Sequence, residues 1–244
     1  KNISFNDKVK FVLKRIFDLI FSTIGIIIFL PFLIIVSIFI FIGDFGNPFY
    51  FGKRVGKNNR PFFLIKFRSM VKSAEELGGD STANDDVRIT RIGHFIRGFK
   101  IDEIPQLINV IIGNMSLVGP RPQTISGVAS YNKAEKNLLN VRPGITDFSS
   151  IVFSDEGEIL DGATDPDLEY NQIIRPWKSR LSLFYLENIS LWLDIKIIVL
   201  TVLAIFSKDK SLIILTKVLK DMNADKELVR VASRKYELLP HQLP

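Results

Sequence analysis

From Leu19 to Gly43 the chain carries no charged residue, and Ile, Phe and Leu dominate the run. A bilayer core needs about 20 apolar residues to be crossed as a helix, so this stretch is long enough to span one. A membrane segment is therefore the first expectation. A secretory signal peptide is the rival, but its apolar region is shorter and ends in a small-residue cleavage site, which does not follow here. The chain begins at Lys1 rather than Met, as expected of a trimmed sequence.

Two features constrain how the segment sits. Pro31, preceded by Leu30, falls at its midpoint, where it removes a helix hydrogen bond and kinks or breaks the helix. Both flanks are also basic: Lys8, Lys10, Lys14 and Arg15 precede it, and Lys53, Arg54, Lys57, Arg60, Lys66 and Arg68 follow. Positive charge favours the cytoplasmic side, so a single span leaves one flank on its disfavoured face. A helix that enters, breaks at Leu30 and Pro31 and returns satisfies both. An ordinary Pro-kinked span is the alternative.

The chemistry concentrates further on, in RGFKIDEIPQLINVIIGNMSLVGPRP, residues 97–122. Asp102 and Glu103 lie just ahead of Pro105, Arg97 and Lys100 precede them, and Arg121 sits in a Gly-Pro-Arg-Pro turn. Proline is tolerated in a first helical turn, so the spacing predicts a helix from Ile101–Ile104, ending near Gly113 and Asn114. Ile104, Leu107, Ile108, Ile111, Ile112 and Met115 would face a core, with the two carboxylates at the positive end of the dipole. Phosphate chemistry and simple acidic capping both fit such a start.

The rest is organised around these two parts. Phe49–Phe51 and Phe62–Met70 read as the strands of a short hairpin joined by a basic loop at Gly52–Arg60. Lys66 and Arg68 share a face of the second strand, where lipid headgroups, a phosphate or plain solvent would suit them. Val71–Leu77 starts a polar helix, and Gly78–Asp86 is an acidic loop. Arg88 to Lys100 interleaves basic and apolar residues as an amphipathic segment does. His94 has no Cys or second His nearby and reads as a surface histidine. Ser154–Tyr170 is acidic and turn-rich, either a loop over the site or a solvated insertion. Trp177–Phe206 reads as two helices, the second interfacial or core because Asp194 and Lys196 interrupt it. Ser211–Leu239 is an amphipathic basic stretch, and the absence of cysteine excludes a disulfide framework.

RITRIGHFIRGFKIDEIPQLINVIIGNMSLVGPRP, with KRIFDLI before the apolar run, KFRSM, and VRPGIT at Val141–Thr146, resembles the bacterial sugar transferases, the monotopic polyprenyl-phosphate phosphoglycosyl transferases. The likeness covers roughly residues 14–206 and is to the small, catalytic-domain-only members. It implies a mixed α/β, mainly helical fold: a monotopic membrane protein with a Pro-broken re-entrant N-terminal helix, a short β-hairpin and amphipathic interfacial helices. The expected division is a re-entrant hairpin over 1–45, a catalytic domain over 46–206 and an amphipathic basic tail over 207–244.

The implied reaction moves a sugar 1-phosphate from a UDP-sugar to undecaprenyl phosphate and releases UMP, at the cytoplasmic face of the bacterial inner membrane. By the resemblance Asp102 is the nucleophile, and Asp102 and Glu103 hold Mg2+. Arg97, Arg121, Pro122 and Arg142, with Lys66 and Arg68, form the substrate-binding set. UDP-sugar, undecaprenyl phosphate and membrane lipids are the expected partners. Nucleic acid is not, because the positive residues cluster beside the apolar run and the dyad. A non-catalytic membrane-anchored scaffold is the remaining alternative. The chain departs from the family pattern in places. Asp147-Phe148-Ser149-Ser150 replaces the usual Gly, apolar, Ala or Trp, and Gln, Leu30-Pro31 replaces Ser-Pro, and Asn114 stands where Asp is common.

Overall fold

A computed structural model describes residues 5–74 and 82–244, with side chains from Val9 onward. Phe5–Asp44 form one helix, α1, with Pro31 inside it. Proline has no N–H for the Ile27 carbonyl, yet the helix continues on both sides, so the expected break at Leu30 and Pro31 does not divide the segment into two helices. The buried stripe keeps its period through the proline. Asp18 and Ser22 face the protein before it, and Leu33, Val36 and Ile40 do so after it. Between them, a Cβ on Gly25 would come within 3.0 Å of Leu107. The other faces are apolar and open, with Ile27 and Ile28 each 66% exposed. Such a helix needs lipid-like surroundings on the faces that protein does not cover.

Both ends of α1 are fixed to the same body. Near its start, Lys14 Nζ lies 2.6 Å from Asp194 Oδ2, and Asp18 Oδ1 accepts the Leu117 N–H at 3.0 Å. Arg15 donates to the Val110 and Ile111 carbonyls at 2.8 and 3.1 Å. At its far end Asp44 receives both terminal nitrogens of Arg68, at 2.6 and 2.5 Å.

After α1, β1 (Phe49–Val55) pairs antiparallel with β2 (Pro61–Phe67), Phe49 opposite Phe67 and Val55 opposite Pro61. The first strand reaches past the expected Phe51, because Gly52, Lys53 and Arg54 find ladder partners in Leu64, Phe63 and Phe62. The connection shrinks to the turn at Lys57–Asn59, where Asn58 and Asn59 take positive φ, a conformation asparagine tolerates well. Part of the expected polar helix Val71–Leu77 and of the loop Gly78–Asp86 lies outside the described residues.

Thr90 caps α2 (Arg91–Gly98) by accepting the Gly93 N–H. The helix expected from Ile101 is divided at Pro105: a 3-10 turn, Ile101–Glu103, comes first, and α3 is only Gln106–Ile111. The expected core stripe holds in part: Met115 is fully buried and Ile104 packs beside Phe67 and Ile96, but the middle of α3 differs. Gln106, Asn109 and Val110 are buried, whereas Ile112 is 60% exposed and Ile108 is exposed as well.

Then β3 (Ser116–Val118), α4 (Ile125–Ala129) and β4 (Gly144–Thr146) follow, β4 parallel to β3. The body is completed by α5 (Phe148–Val152), α6 (Glu156–Ile159), α7 (Pro166–Glu169), a π turn at Tyr170–Ile174, α8 (Arg175–Glu187), α9 (Leu191–Phe206), α10 (Lys208–Asp221) and α11 (Lys226–Ala232). Phe148, Leu181, Tyr185, Ile197, Leu215, Leu219 and Leu228 share one core. Residues 207–244 therefore are not a separate tail. Their last residues lie back on the body as well, His241 stacking on Trp177 with ring centroids 4.4 Å apart.

Asp194 is fully buried and accepts from both Lys14 and the Tyr185 hydroxyl, the latter at 2.7 Å. Asp194→Ala strands an ammonium and a hydroxyl together, so it should destabilise the fold by about 3 kcal/mol or more. Thermal unfolding in detergent checks this. The double variant Lys14→Met with Asp194→Leu should be less destabilised, because neither charge is then left alone.

Candidate active site

The dyad sits in a turn made by backbone strain. Lys100, a non-glycine residue, adopts the left-handed conformation with φ 57°, which swings the chain from the end of α2 into the 3-10 turn carrying Asp102 and Glu103. Asp102 is buried, and Pro105 then starts α3. Successive residues of a 3-10 turn point about 120° apart, so the two carboxylates face different neighbours.

Two cations reach them from distant segments. Lys66, from β2, places Nζ 2.9 Å from Glu103 Oε1 and 3.9 Å from Asp102 Oδ2. Arg121 donates to both Glu103 oxygens, at 2.5 and 3.3 Å. The Asn109 side chain sets the height of β2 against α3. Its Oδ1 accepts the Ile65 N–H at 2.8 Å and its Nδ2 donates to the Phe63 carbonyl at 2.7 Å, so an amide stands in for a neighbouring strand. The Gly-Pro-Arg-Pro turn is set by contact between two glycines. A Cβ on Gly144 would fall 2.0 Å from the Gly119 nitrogen, and the backbones bond at Gly144 N–H to Pro120 O, 2.9 Å. Only glycine permits that approach.

The environments of the two carboxyls push them apart. Burial raises Asp102 above the usual aspartate range; Lys66 opposes this, and the neighbouring Glu103 charge adds to it. Burial acts in the same direction on Glu103, but Arg121 and Lys66 outweigh it and hold Glu103 well below the usual glutamate range. One member is thus locked as an ion-paired anion, while the other is a poorly hydrated carboxyl with spare lone pairs. Loss of hydration, reinforced by Arg121 and Lys66, lowers Lys100 against the pull of Glu103.

The expected binding residues divide. Lys66 and Arg121 meet the dyad, Pro122 is buried beside Arg121, and Arg97 lies within electrostatic reach of Asp102. Arg68 instead ties down the end of α1. Arg142 donates from Nε to the Gly113 carbonyl at 2.8 Å and, with Arg15, caps the carbonyl end of α3, where the helix dipole is negative. Leu30 and Pro31 lie in α1 with no part in the site.

Sequence reasoning passed over Asn109, Gln123, Glu156, Tyr170 and Lys178. Glu156, on α6, pairs with Lys178 and acts on Arg121 and Lys100, so the acidic stretch Ser154–Tyr170 does border the site. The Asp147–Ser150 departure is structural: fully buried Asp147 accepts from Ser149 Oγ, the Ser150 N–H and Ser182 Oγ at 2.7, 2.8 and 2.6 Å, capping α5.

Carbodiimide reacts with protonated carboxyls, so mass-spectrometric mapping of its labelling against pH follows Asp102 directly. Lys66→Met removes the charge that lowers Asp102 and should move its titration to higher pH. Glu103→Gln removes the charge that raises it and should move it to lower pH. A titration unmoved by either substitution would mean that these neighbours do not set it.

The family profile described as bacterial sugar transferase matches residues 9–208. The chain is 33% identical over 198 residues to the UDP-N-acetylgalactosamine-undecaprenyl-phosphate N-acetylgalactosaminephosphotransferase of Aeromonas hydrophila, covering 80% of this chain and 44% of that protein. It is 40% identical to the undecaprenyl-phosphate glucose phosphotransferase of Komagataeibacter xylinus, covering 78% and 35%. It is 35% identical to the uncharacterized sugar transferase EpsL of Bacillus subtilis, covering 78% and 86%. The chain thus spans less than half the length of the first two relatives. With the match running from α1 through the dyad to α9, the chain belongs to the bacterial sugar transferase family.

Proposed function

We propose that the chain transfers a sugar 1-phosphate from a UDP-sugar to undecaprenyl phosphate, releasing UMP, as the first membrane step of surface glycoconjugate assembly. The observation that carries this reading is the asymmetry of the dyad: Glu103 saturated by Lys66 and Arg121, and Asp102 buried with oxygen lone pairs to spare. The names of the Aeromonas and Komagataeibacter relatives support the acceptor.

In the first half an Asp102 oxygen attacks the phosphorus that bears the sugar. The bond from that phosphorus to the bridging oxygen breaks, and UMP leaves with the oxygen and the bonding electrons. In the second half an oxygen of the lipid phosphate attacks the same phosphorus, the acyl-phosphate bond breaks, and the Asp102 carboxylate is restored. Lys66, Arg97 and Arg121 offset charge on the phosphates. Mg2+ is the proposed cofactor. Its preference for hard oxygen donors suits Asp102, which would hold it together with phosphate oxygens and water, whereas both oxygens of Glu103 are already engaged by Lys66 and Arg121. When bound it would neutralise diphosphate charge.

Asp102→Asn keeps the shape but lacks the nucleophilic oxygen, so UMP release should vanish even without lipid acceptor. Wild type incubated with radiolabelled UDP-sugar alone should carry label on the Asp102 peptide. Arg121→Ala and Arg97→Ala should each lower turnover about a hundredfold or more. Absence of trapped label together with ternary-complex kinetics would favour direct transfer instead.

We also propose a monotopic arrangement at the cytoplasmic face of the inner membrane, with α1 dipping into the bilayer and returning near Pro31. Support comes from the contacts that fix Lys14, Arg15 and Asp18 at one end, and Asp44 at the other, to a single body. Cysteines at Asn6 and Asn58 should both be labelled only from the cytoplasmic side. Labelling from opposite sides would overturn the arrangement, and Pro31→Ala should push α1 towards spanning.

A further inference from the structure

Phosphate chemistry leaves one charged group at the site unexplained. Glu156 pairs with Lys178 and faces Arg121 and Lys100, yet a carboxylate beside a diphosphate site repels the ligand. Its support is firm. Asp155, the preceding residue, pairs with Lys208 and Arg234, and the Asn84 N–H donates to the Gly157 carbonyl at 3.2 Å, so α6 is held from both sides. The Lys178 side chain is 11% exposed and that of Glu156 is 31%, which leaves the lysine fixed and one side of the carboxylate open. Beside them lies the Tyr170 ring, which also packs against the main core. The Lys178 ammonium stands 5.3 Å from the Tyr170 ring centroid, and Gln123 Nε2, two residues past Arg121, donates to the Tyr170 hydroxyl at 3.3 Å.

We infer that Glu156, positioned by Lys178 beside the Tyr170 ring, reads the hydroxyl groups of the donor's sugar and is a specificity-determining residue; the inference rests on the donor being a UDP-sugar. An ionised carboxylate only accepts hydrogen bonds, and Lys178 satisfies only part of its capacity, so its open side calls for donors. Sugar hydroxyls are donors, and a pyranose also offers a C–H face that suits an aromatic ring. The connection between the two halves of the site is Arg121, which pairs with Glu103 on one side and feels Glu156 on the other. A sugar 1-phosphate has the matching order, with the anion at one end and hydroxyls at the other.

The test uses the full chain in nanodiscs and measures kcat and KM for UMP release from a panel of UDP-sugars, including deoxy analogues of the best donor. Wild type should prefer the best donor over the analogue lacking the recognised hydroxyl by about a hundredfold or more. Glu156→Gln should reduce that preference to a few fold, the best donor losing far more than the deoxy analogue. Tyr170→Ala should reduce the same ratio, and carries the test if Glu156 variants do not accumulate. An unchanged ratio, or an equal loss on every donor, would overturn the inference while leaving the transferase reading intact. A wild type that releases UMP from no UDP-sugar would overturn both.

Discussion

The charge pair between Glu103 and its two cations is the constraint on which the rest depends. Lys66 arrives on β2, Glu103 on a strained turn and Arg121 on a glycine-packed loop, so one buried network ties together segments far apart in the chain. A buried ion pair is weak evidence of stabilisation, because desolvation offsets much of the Coulomb gain. Its value here lies in placement. Removing Glu103 leaves two unpaired cations beside Asp102, and removing either cation leaves Glu103 with one partner, so the network favours one arrangement of the three segments around that carboxyl.

The apolar helix is subordinate to the same body. Its stripe of Asp18, Ser22, Leu33, Val36 and Ile40 does not slip at Pro31, because the contacts on each side are of different kinds. Polar contacts with Leu117, Asp194 and the end of α3 fix the first half. The second half is fixed by packing against Phe67 and Ile96 and by the Asp44 pair with Arg68. Arg15 connects the two problems: by capping the carbonyl end of α3 it links the membrane helix to the helix that follows the dyad. α9 and α10 also combine a buried face with exposed Trp192, Phe206 and Ile213, the division expected of helices that meet an apolar surround on one side.

Much of this was legible in the sequence, for local reasons. The uncharged run, the hairpin, the amphipathic α2 and the two helices of residues 177–206 each follow from periodicity and breakers within a short window. What failed was tertiary. The stripe from Ile104 to Met115 has helical spacing, but spacing does not say which face is covered, and the body covers Gln106 and Asn109 while Ile108 and Ile112 stay open. Lys66 and Arg68 look equivalent on a strand that in fact ends at Phe67, and they pair with different acids, Glu103 and Asp44. Arg142 stands in a family motif, yet it caps α3 through a carbonyl no pattern could indicate. Glu156 and Lys178 lie in different elements and become a pair only when α6 folds against α8.

The proposal that Asp102 and not Glu103 attacks rests on magnitudes. At an effective dielectric near 20, opposite charges about 4 Å apart attract by about 4 kcal/mol, and that is the separation of Lys66 from Asp102. The like charge of the adjacent Glu103 opposes this at Asp102. Burial then decides, and it raises the carboxyl. At Glu103 burial is outweighed: Lys66 and Arg121 act together at 2.9 and 2.5 Å and occupy both oxygens. An anion so satisfied is a poor nucleophile, since attack would first have to break those bonds. Asp102 has no such bonds to break, and when ionised its weak hydration leaves an oxygen ready for phosphorus. The neighbour that binds Lys66 and Arg121 closely therefore leaves Asp102 with only a longer contact to Lys66, at 3.9 Å.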